Sequence, residues 1–243
     1  MAETVYNKDV SASTEQVRED FDRIARLTAH GAKAADVYHK YLLNQIPPGC
    51  KNILDVGCGL GGFTRLLQGR AERVVAIDLS PEMIRLARER SAEHRKIEYV
   101  PADFMLLNLP RESFDCVVSL ATLHHLPTGD ALGKMKDALA PGGVLLIQDL
   151  IANDGFVDLL RSAVARPVNT MLRLLKTGRI LPPREVRRAW AEHGRHDVYL
   201  TLPEVERMCA QHLPGAKVQR HLLWRYTLVW RKAREKRDDN DER

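Results

Sequence analysis

The sequence predicts an α/β fold built on a doubly wound, largely parallel sheet. Three observations predict it. Short apolar segments alternate with helical segments at the spacing of βαβ units. The first apolar segment runs into a glycine cluster, Gly57-Cys58-Gly59-Leu60-Gly61-Gly62, that opens a helix. The second apolar segment ends on an acid, Asp78, 21 residues beyond Gly57.

The elements follow in order. Residues 1–20 are polar, and a flexible or loosely helical segment is expected there. From Phe21 to about Leu43 the apolar positions Phe21, Ile24, Leu27, Ala34, Val37 and Tyr41 keep a helical period, which Pro47-Pro48-Gly49 stops. Residues 51–56 read as a strand, 63–68 as a helix and 73–77 as a second strand. Ser80-Pro81 then reads as a helix cap and first helical position, with the helix running to about residue 93. Residues 97–100 and 114–120 are the third and fourth strands. A helix over 132–140 is closed by Pro141-Gly142-Gly143, and 144–150 is the fifth strand. Residues 153–197 contain no strand pattern and read as a helical insertion. A helix over 203–213 and two closing strands, 216–221 and 222–229, complete one domain spanning 21–232. Residues 233–243 are a charge run and are expected to be disordered.

Composition narrows the function. With 243 residues and 44% hydrophobic content, the chain can bury one sizeable core. No apolar run approaches the roughly 20 residues of a membrane-spanning helix, so a cytoplasmic protein is expected, with at most peripheral membrane contact. The net charge of +5 is not gathered into a basic run with interleaved aromatics, and a nucleic-acid groove is not signalled. The four cysteines, Cys50, Cys58, Cys116 and Cys209, show neither C-x-x-C nor zinc-ligand spacing. Free thiols and no metal site are expected. Oligomeric state is not legible.

The glycine loop lies where open α/β sheets bind ligands, at the carboxyl end of the first strand. Gly57, Gly59 and Gly62 satisfy G-x-G-x-x-G, and Asp78 stands where a ribose-binding acid belongs, so the loop alone admits NAD. Asp55, two residues before the first glycine, suits an ammonium and a sulfonium better than a pyrophosphate. Asp103, after the third strand, adds a further acid. Three acids make a pocket suited to a cationic cofactor.

Five segments in register carry a family resemblance: LDVGCGLGG, VVAIDLSPEMI, VPADF, FDCVVSLATLHHLP and LAPGGVLLI. The chain resembles class I S-adenosylmethionine-dependent methyltransferases, closest to the small-molecule branch that includes ubiquinone/menaquinone C-methyltransferases. The resemblance implies a Rossmann-like sheet of seven strands with the last antiparallel. It implies S-adenosylmethionine as cofactor. Asp55, Gly57, Cys58, Gly59 and Gly61 would hold the methionine part and ribose. Asp78 would take the ribose hydroxyls, with Leu79 and Met83 packing on the adenine. Asp103 would take the adenine amine beside Phe104, Leu120 would contact the methionine end through its backbone, and His125 would be a cofactor-side residue.

Methyl transfer is an in-line displacement in which the protein supplies position and electrostatics. His124 and His125 are the candidate general bases, should the acceptor lose a proton. Phe21, Trp190, His193 and His196 are candidates to line the acceptor pocket. Phe21-Asp22-x-x-Ala25 resembles a family segment that folds over the cofactor, where tyrosine is commoner at the first place. Residues 168–175 put Val168, Met171, Leu172, Leu174 and Leu175 on one helical face. That face can be core, a lid over an apolar acceptor, or a surface for membrane or partner. A hydrophobic or aromatic small molecule is the expected acceptor. An RNA or protein methyltransferase, an NAD(P)-dependent oxidoreductase and a non-enzymatic binding module stay open.

Overall fold

A computed structural model describes residues 10–29, 38–153 and 155–234. The elements are α1 (Val10–Thr28), α2 (His39–Leu43), β1 (Cys50–Val56), α3 (Thr64–Leu67), β2 (Ala71–Asp78), α4 (Pro81–Glu89), β3 (Ile97–Pro101) and β4 (Phe114–Leu120). A 3₁₀ turn (Leu123–His125) leads to α5 (Thr128–Ala138) and β5 (Leu139–Leu150). Then come α6 (Phe156–Thr177), α7 (Arg184–His193), α8 (Leu202–His212), β6 (Lys217–His221) and β7 (Arg225–Arg231). The seven strands form one sheet in the order β3-β2-β1-β4-β5-β7-β6. Strands β1 to β5 pair in parallel, and β7 runs antiparallel to β5 and β6. The expected fold class is observed.

Strand alternation splits the core into two layers. Leu54, Val56, Val117, Leu145 and Ile147 face α5 and α8 on one side, where Leu132, Met135 and Val205 close the layer. Ile53, Val74, Cys116, Val118 and Leu146 face the other side, against Phe63 and Leu67. The strand order reverses between β1 and β4, which opens a crevice at their carboxyl ends.

Several expected boundaries move. α1 starts at Val10, not Phe21, so residues 10–20 take the helical one of the two alternatives expected there. Ala34 and Val37, expected to continue that helix, lie outside the described residues, as does the charged tail from 235. Pro141-Gly142-Gly143 does not end the preceding helix, which stops at Ala138. It lies inside β5, where a register shift between Phe114 and Cys116 of β4 absorbs the irregularity. The last strand begins at Arg225 rather than 222, because Trp224 turns the chain at φ 52°.

The insertion divides into α6 and α7. α6 anchors through Asp158, Ser162 and Ala165, all buried, with Asp158 ion-paired to Arg220 at 2.8 Å. Its opposite face leaves Leu160, Val164, Met171, Leu174 and Leu175 exposed. The 168–175 face is therefore not core. All four cysteines are free, and no helix among the described residues is long and apolar enough to cross a membrane.

α4 begins as its sequence dictates. Ser80 caps it, its Oγ accepting from Met83 N at 3.0 Å, and Pro81 supplies a preset φ at the first helical position. The Ser80 hydroxyl donates in turn to Asp22 of α1. Ser80→Ala removes both contacts. It should destabilise the chain by about 1–2 kcal/mol, read from denaturant unfolding. A loss under a few tenths would mean that neither contact carries stability.

Candidate active site

A cavity of about 570 Å³ opens at the carboxyl ends of the parallel strands. Its inner wall is Val56, Gly57 and Gly59 at the end of β1, Ile77, Asp78 and Leu79 at the end of β2, and Leu120, Ala121 and Thr122 at the end of β4. One side is Ala102, Asp103, Phe104 and Met105, beyond β3. The outer wall comes from elsewhere in the chain: Thr14, Val17 and Phe21 of α1, and Trp190 of α7.

The glycine loop is held by close packing and by one carboxylate. Gly57 sits at φ +75°, and a Cβ there would lie 2.0 Å from Thr122 Oγ1. Gly59 N donates to Asp78 Oδ2 at 2.7 Å, and Ser80 N donates to Asp78 Oδ1 at 2.9 Å. Asp78 is half-buried at the cavity wall, and its loss of solvation pushes its pKa up to about 6 against the lowering effect of those two backbone bonds.

Of the residues expected to bind cofactor, Gly57, Gly59, Asp78, Leu79, Met83, Asp103, Phe104, Leu120 and His125 all line the cavity. Asp55, Cys58 and Gly61 do not. Asp55 points to the opposite sheet face from Val56, is buried, and accepts from Thr64 Oγ1 at 2.6 Å. Cys58 packs against the cluster of Ala76, Ile84, Ala87 and Tyr99. Gly61 makes room for Tyr99, whose hydroxyl oxygen would be 2.3 Å from a Cβ at that position. Its role is to seat the loop on the sheet.

The histidines divide as well. His125 lines the cavity, and burial with His124 and His193 nearby pulls its pKa down to about 2. It is neutral at any ordinary pH and so poorly matched to general-base work in this arrangement. His124 is turned away. Its Nδ1 lies 2.6 Å from Asp149 Oδ1, and its backbone N donates to Asp149 Oδ2 at 2.9 Å. His193 is also off the cavity wall, behind Phe21, with Nδ1 3.2 Å from Asp20 Oδ2 and ring centroids 4.7 Å apart. His196 is exposed and does not line this cavity. Phe21 and Trp190 stand where expected, edge to face at 6.2 Å. Among the described residues of the insertion, those that line the cavity come from α7 and none from α6.

Thr14, Val17, Leu106 and Thr122 line the cavity without having been expected. Val17, Phe21 and Ile24 keep a helical spacing, and following that period back past residue 21 would have found the first two.

A methyltransferase-domain family model matches residues 54–147. An uncharacterised methyltransferase of Mycobacterium bovis is 31% identical over 202 residues, spanning 81% of this chain and 95% of that one. The chain belongs to the class I S-adenosylmethionine-dependent methyltransferases. Its cofactor is S-adenosylmethionine. The 2-methyl-6-phytyl-1,4-hydroquinone methyltransferase of a Synechocystis strain is 34% identical over 109 residues, 44% of this chain and 34% of that one. The fold matches phosphoethanolamine N-methyltransferase 2 of Haemonchus contortus, solved with phosphomonomethylethanolamine and S-adenosylhomocysteine. That match has a TM-score of 0.65 at 15% identity and covers 90% of this chain and 60% of that one. The family membership removes the dinucleotide alternative that the glycine spacing alone allowed. The quinone-type branch does not follow from it.

In this methyltransferase Asp55 is a buried acid whose pKa burial raises to about 7. Its folded-state pKa lies above the unfolded value of 3.8, so the folded chain retains a proton that the unfolded chain releases. The resulting cost is absent at low pH, grows as pH rises, and is complete above about pH 7. Asp55→Asn should therefore gain stability relative to the parent as pH rises from about 4 to about 7. Unfolding curves across that range check this, and parallel pH profiles would refute it.

Proposed function

We propose that the chain methylates a small hydrophobic or aromatic acceptor, bound against the outer wall of the cavity. The observation that carries this is the character of that wall. Val17, Phe21, Leu106, Leu126, Pro127 and Trp190 surround the space left beyond the carboxylates and the glycine loop. Such a surface takes an apolar molecule and offers little to a phosphate backbone.

The inner wall fits the cofactor. Asp78 presents a carboxylate whose two oxygens are already aligned by Gly59 and Ser80, suited to a pair of ribose hydroxyls. Gly59 has open space where a side chain would stand, so the backbone can approach a ligand closely. Asp103 is fixed by Met105 N at 2.8 Å and takes the adenine amine, with Phe104, Leu79 and Met83 as the apolar bed. The cofactor, when bound, supplies an electrophilic methyl group on a sulfonium centre. The backbone at Gly57 and Leu120 holds the methionine end.

The chain's own work is alignment and exclusion of water. Phe21 and Trp190 close the cavity and press the acceptor toward the inner wall. Holding reactants in attack geometry is worth on the order of 7–11 kcal/mol in favourable cases, and the proton that a quinol or phenol loses on methylation passes to solvent water. His125, neutral at the wall, offers a hydrogen-bonding ring for orientation. The hydroquinone relative makes quinols and phenols the first acceptors to try.

Purified chain with labelled cofactor should transfer to a quinol or phenol ahead of amines, thiols, bulk RNA and protein. Trp190→Ala should raise the KM of the accepted compound about tenfold and leave that of the cofactor within about twofold, consistent with loss of an aromatic wall. Asp78→Ala should do the reverse, weakening cofactor binding by at least about tenfold, since hydrogen bonds to a charged group are worth about 1.5–3 kcal/mol. Transfer confined to RNA or protein would overturn the small-molecule proposal.

A further inference from the structure

Behind the outer wall, three imidazoles and a carboxylate converge from separate parts of the chain. His124 and His125 belong to the 3₁₀ turn after β4, and His193 to the last turn of α7. Asp197 follows four residues later. Their side chains are 7%, 9%, 4% and 7% exposed, in that order. One ligand atom each from His124, His125 and Asp197 lie within 4.8 Å of one another. His193 Nε2 lies 3.8 Å from Asp197 Oδ1, and His125 Nδ1 lies 3.5 Å from that same oxygen.

Those inward separations are too long for good hydrogen bonds. They suit a different partner. Nitrogen and oxygen ligands about 2.0–2.1 Å from a tetrahedral ion stand roughly 3.3–3.4 Å from each other. The outward contacts, by contrast, are well made. Asp149 holds His124 Nδ1 at 2.6 Å, Asp20 holds His193 Nδ1 at 3.2 Å, and Tyr199 donates to Asp197 Oδ2 at 2.7 Å. A carboxylate behind one ring nitrogen fixes the tautomer that leaves the other nitrogen's lone pair free, the usual support of a histidine ligand. Two histidines here have that support. Asp20, Asp149 and Asp197 also bring three buried carboxylates into one region, a concentration of negative charge that a cation offsets.

We propose that His124, His125, His193 and Asp197 hold a borderline divalent cation such as zinc, through three imidazole nitrogens and one carboxylate oxygen. The ion ties the end of α7 and the segment after it to the 3₁₀ turn. That fixes Phe21, which lies against both His125 and His193 at 5.5 and 4.7 Å, and with it the outer wall of the cavity. Sequence spacing gives no hint of the site, because the ligands sit at 124–125 and 193–197.

The test uses the full chain without a polyhistidine tag, stripped with chelator and titrated with Co²⁺. One Co²⁺ per chain should bind with the intense visible absorption of tetrahedral geometry, and Zn²⁺ should displace it. Asp197→Asn and His193→Gln should weaken binding by at least about 10–100-fold, the loss that even outer-sphere changes produce. His196→Ala, exposed and adjacent, should bind as the parent does. Should the variants fail to fold, amide exchange of the parent with and without Zn²⁺ decides: added metal should slow exchange at the end of α7 and in the 3₁₀ turn. Absence of saturable absorption together with unchanged exchange overturns the site. Binding that survives both ligand variants overturns it equally, and neither result bears on methyl transfer.

Discussion

The carboxylate of Asp78 is the interaction on which the site depends. It ends β2, and each of its oxygens accepts a backbone N–H, from Gly59 and from Ser80. One side chain thereby joins the loop after β1 to the start of α4. Ser80 passes the connection on, because its hydroxyl caps α4 and donates to Asp22 of α1. Asp22 also accepts from Glu82 N at 3.2 Å. Glycine loop, α4 and the covering helix are thus registered to one another through a short chain of charge-assisted bonds. Burying the carboxylate costs solvation, and the two donors offset part of that cost.

The sheet supplies the frame for this arrangement. Parallel strands aligned in register bring the residues after β1, β2, β3 and β4 to one edge, so acids distant in sequence share one cavity. Close packing then shapes the floor. Gly57 yields its space to Thr122, and Gly61 yields its own to Tyr99. The glycines of this loop have separate tasks: two let the loop nest against neighbours, while Gly59 faces open space.

The outer wall is built by different physics. α1 and α7 pack on each other through Phe21, Ile24 and Ala189, and through the ion pair of Arg23 with Glu192. Neither helix belongs to the sheet, and their apolar residues meet the cavity where the parallel strands present carboxylates and backbone. The two walls differ in character. One is polar and set by the strand ends; the other is apolar and set by helices outside the sheet.

Much of this was legible in the residues. Strand and helix periods gave the sheet, and Asp78 and Asp103 stand in the cavity at the places their motifs implied. Local rules suffice there because the ends of parallel strands necessarily share one edge. The outcome for Asp55, Cys58 and Gly61 depended on which face of the loop each side chain takes, and packing decides that. The division of labour between His124 and His125 was equally invisible, since adjacent residues of one turn point to different neighbours, Asp149 for one and the cavity for the other. What only the tertiary structure decided is the meeting of α1, α7 and the 3₁₀ turn. Those contacts join distant residues, 68 positions apart for His125–His193 and 169 for Phe21–Trp190, and no local period encodes which distant helix will cover an apolar face.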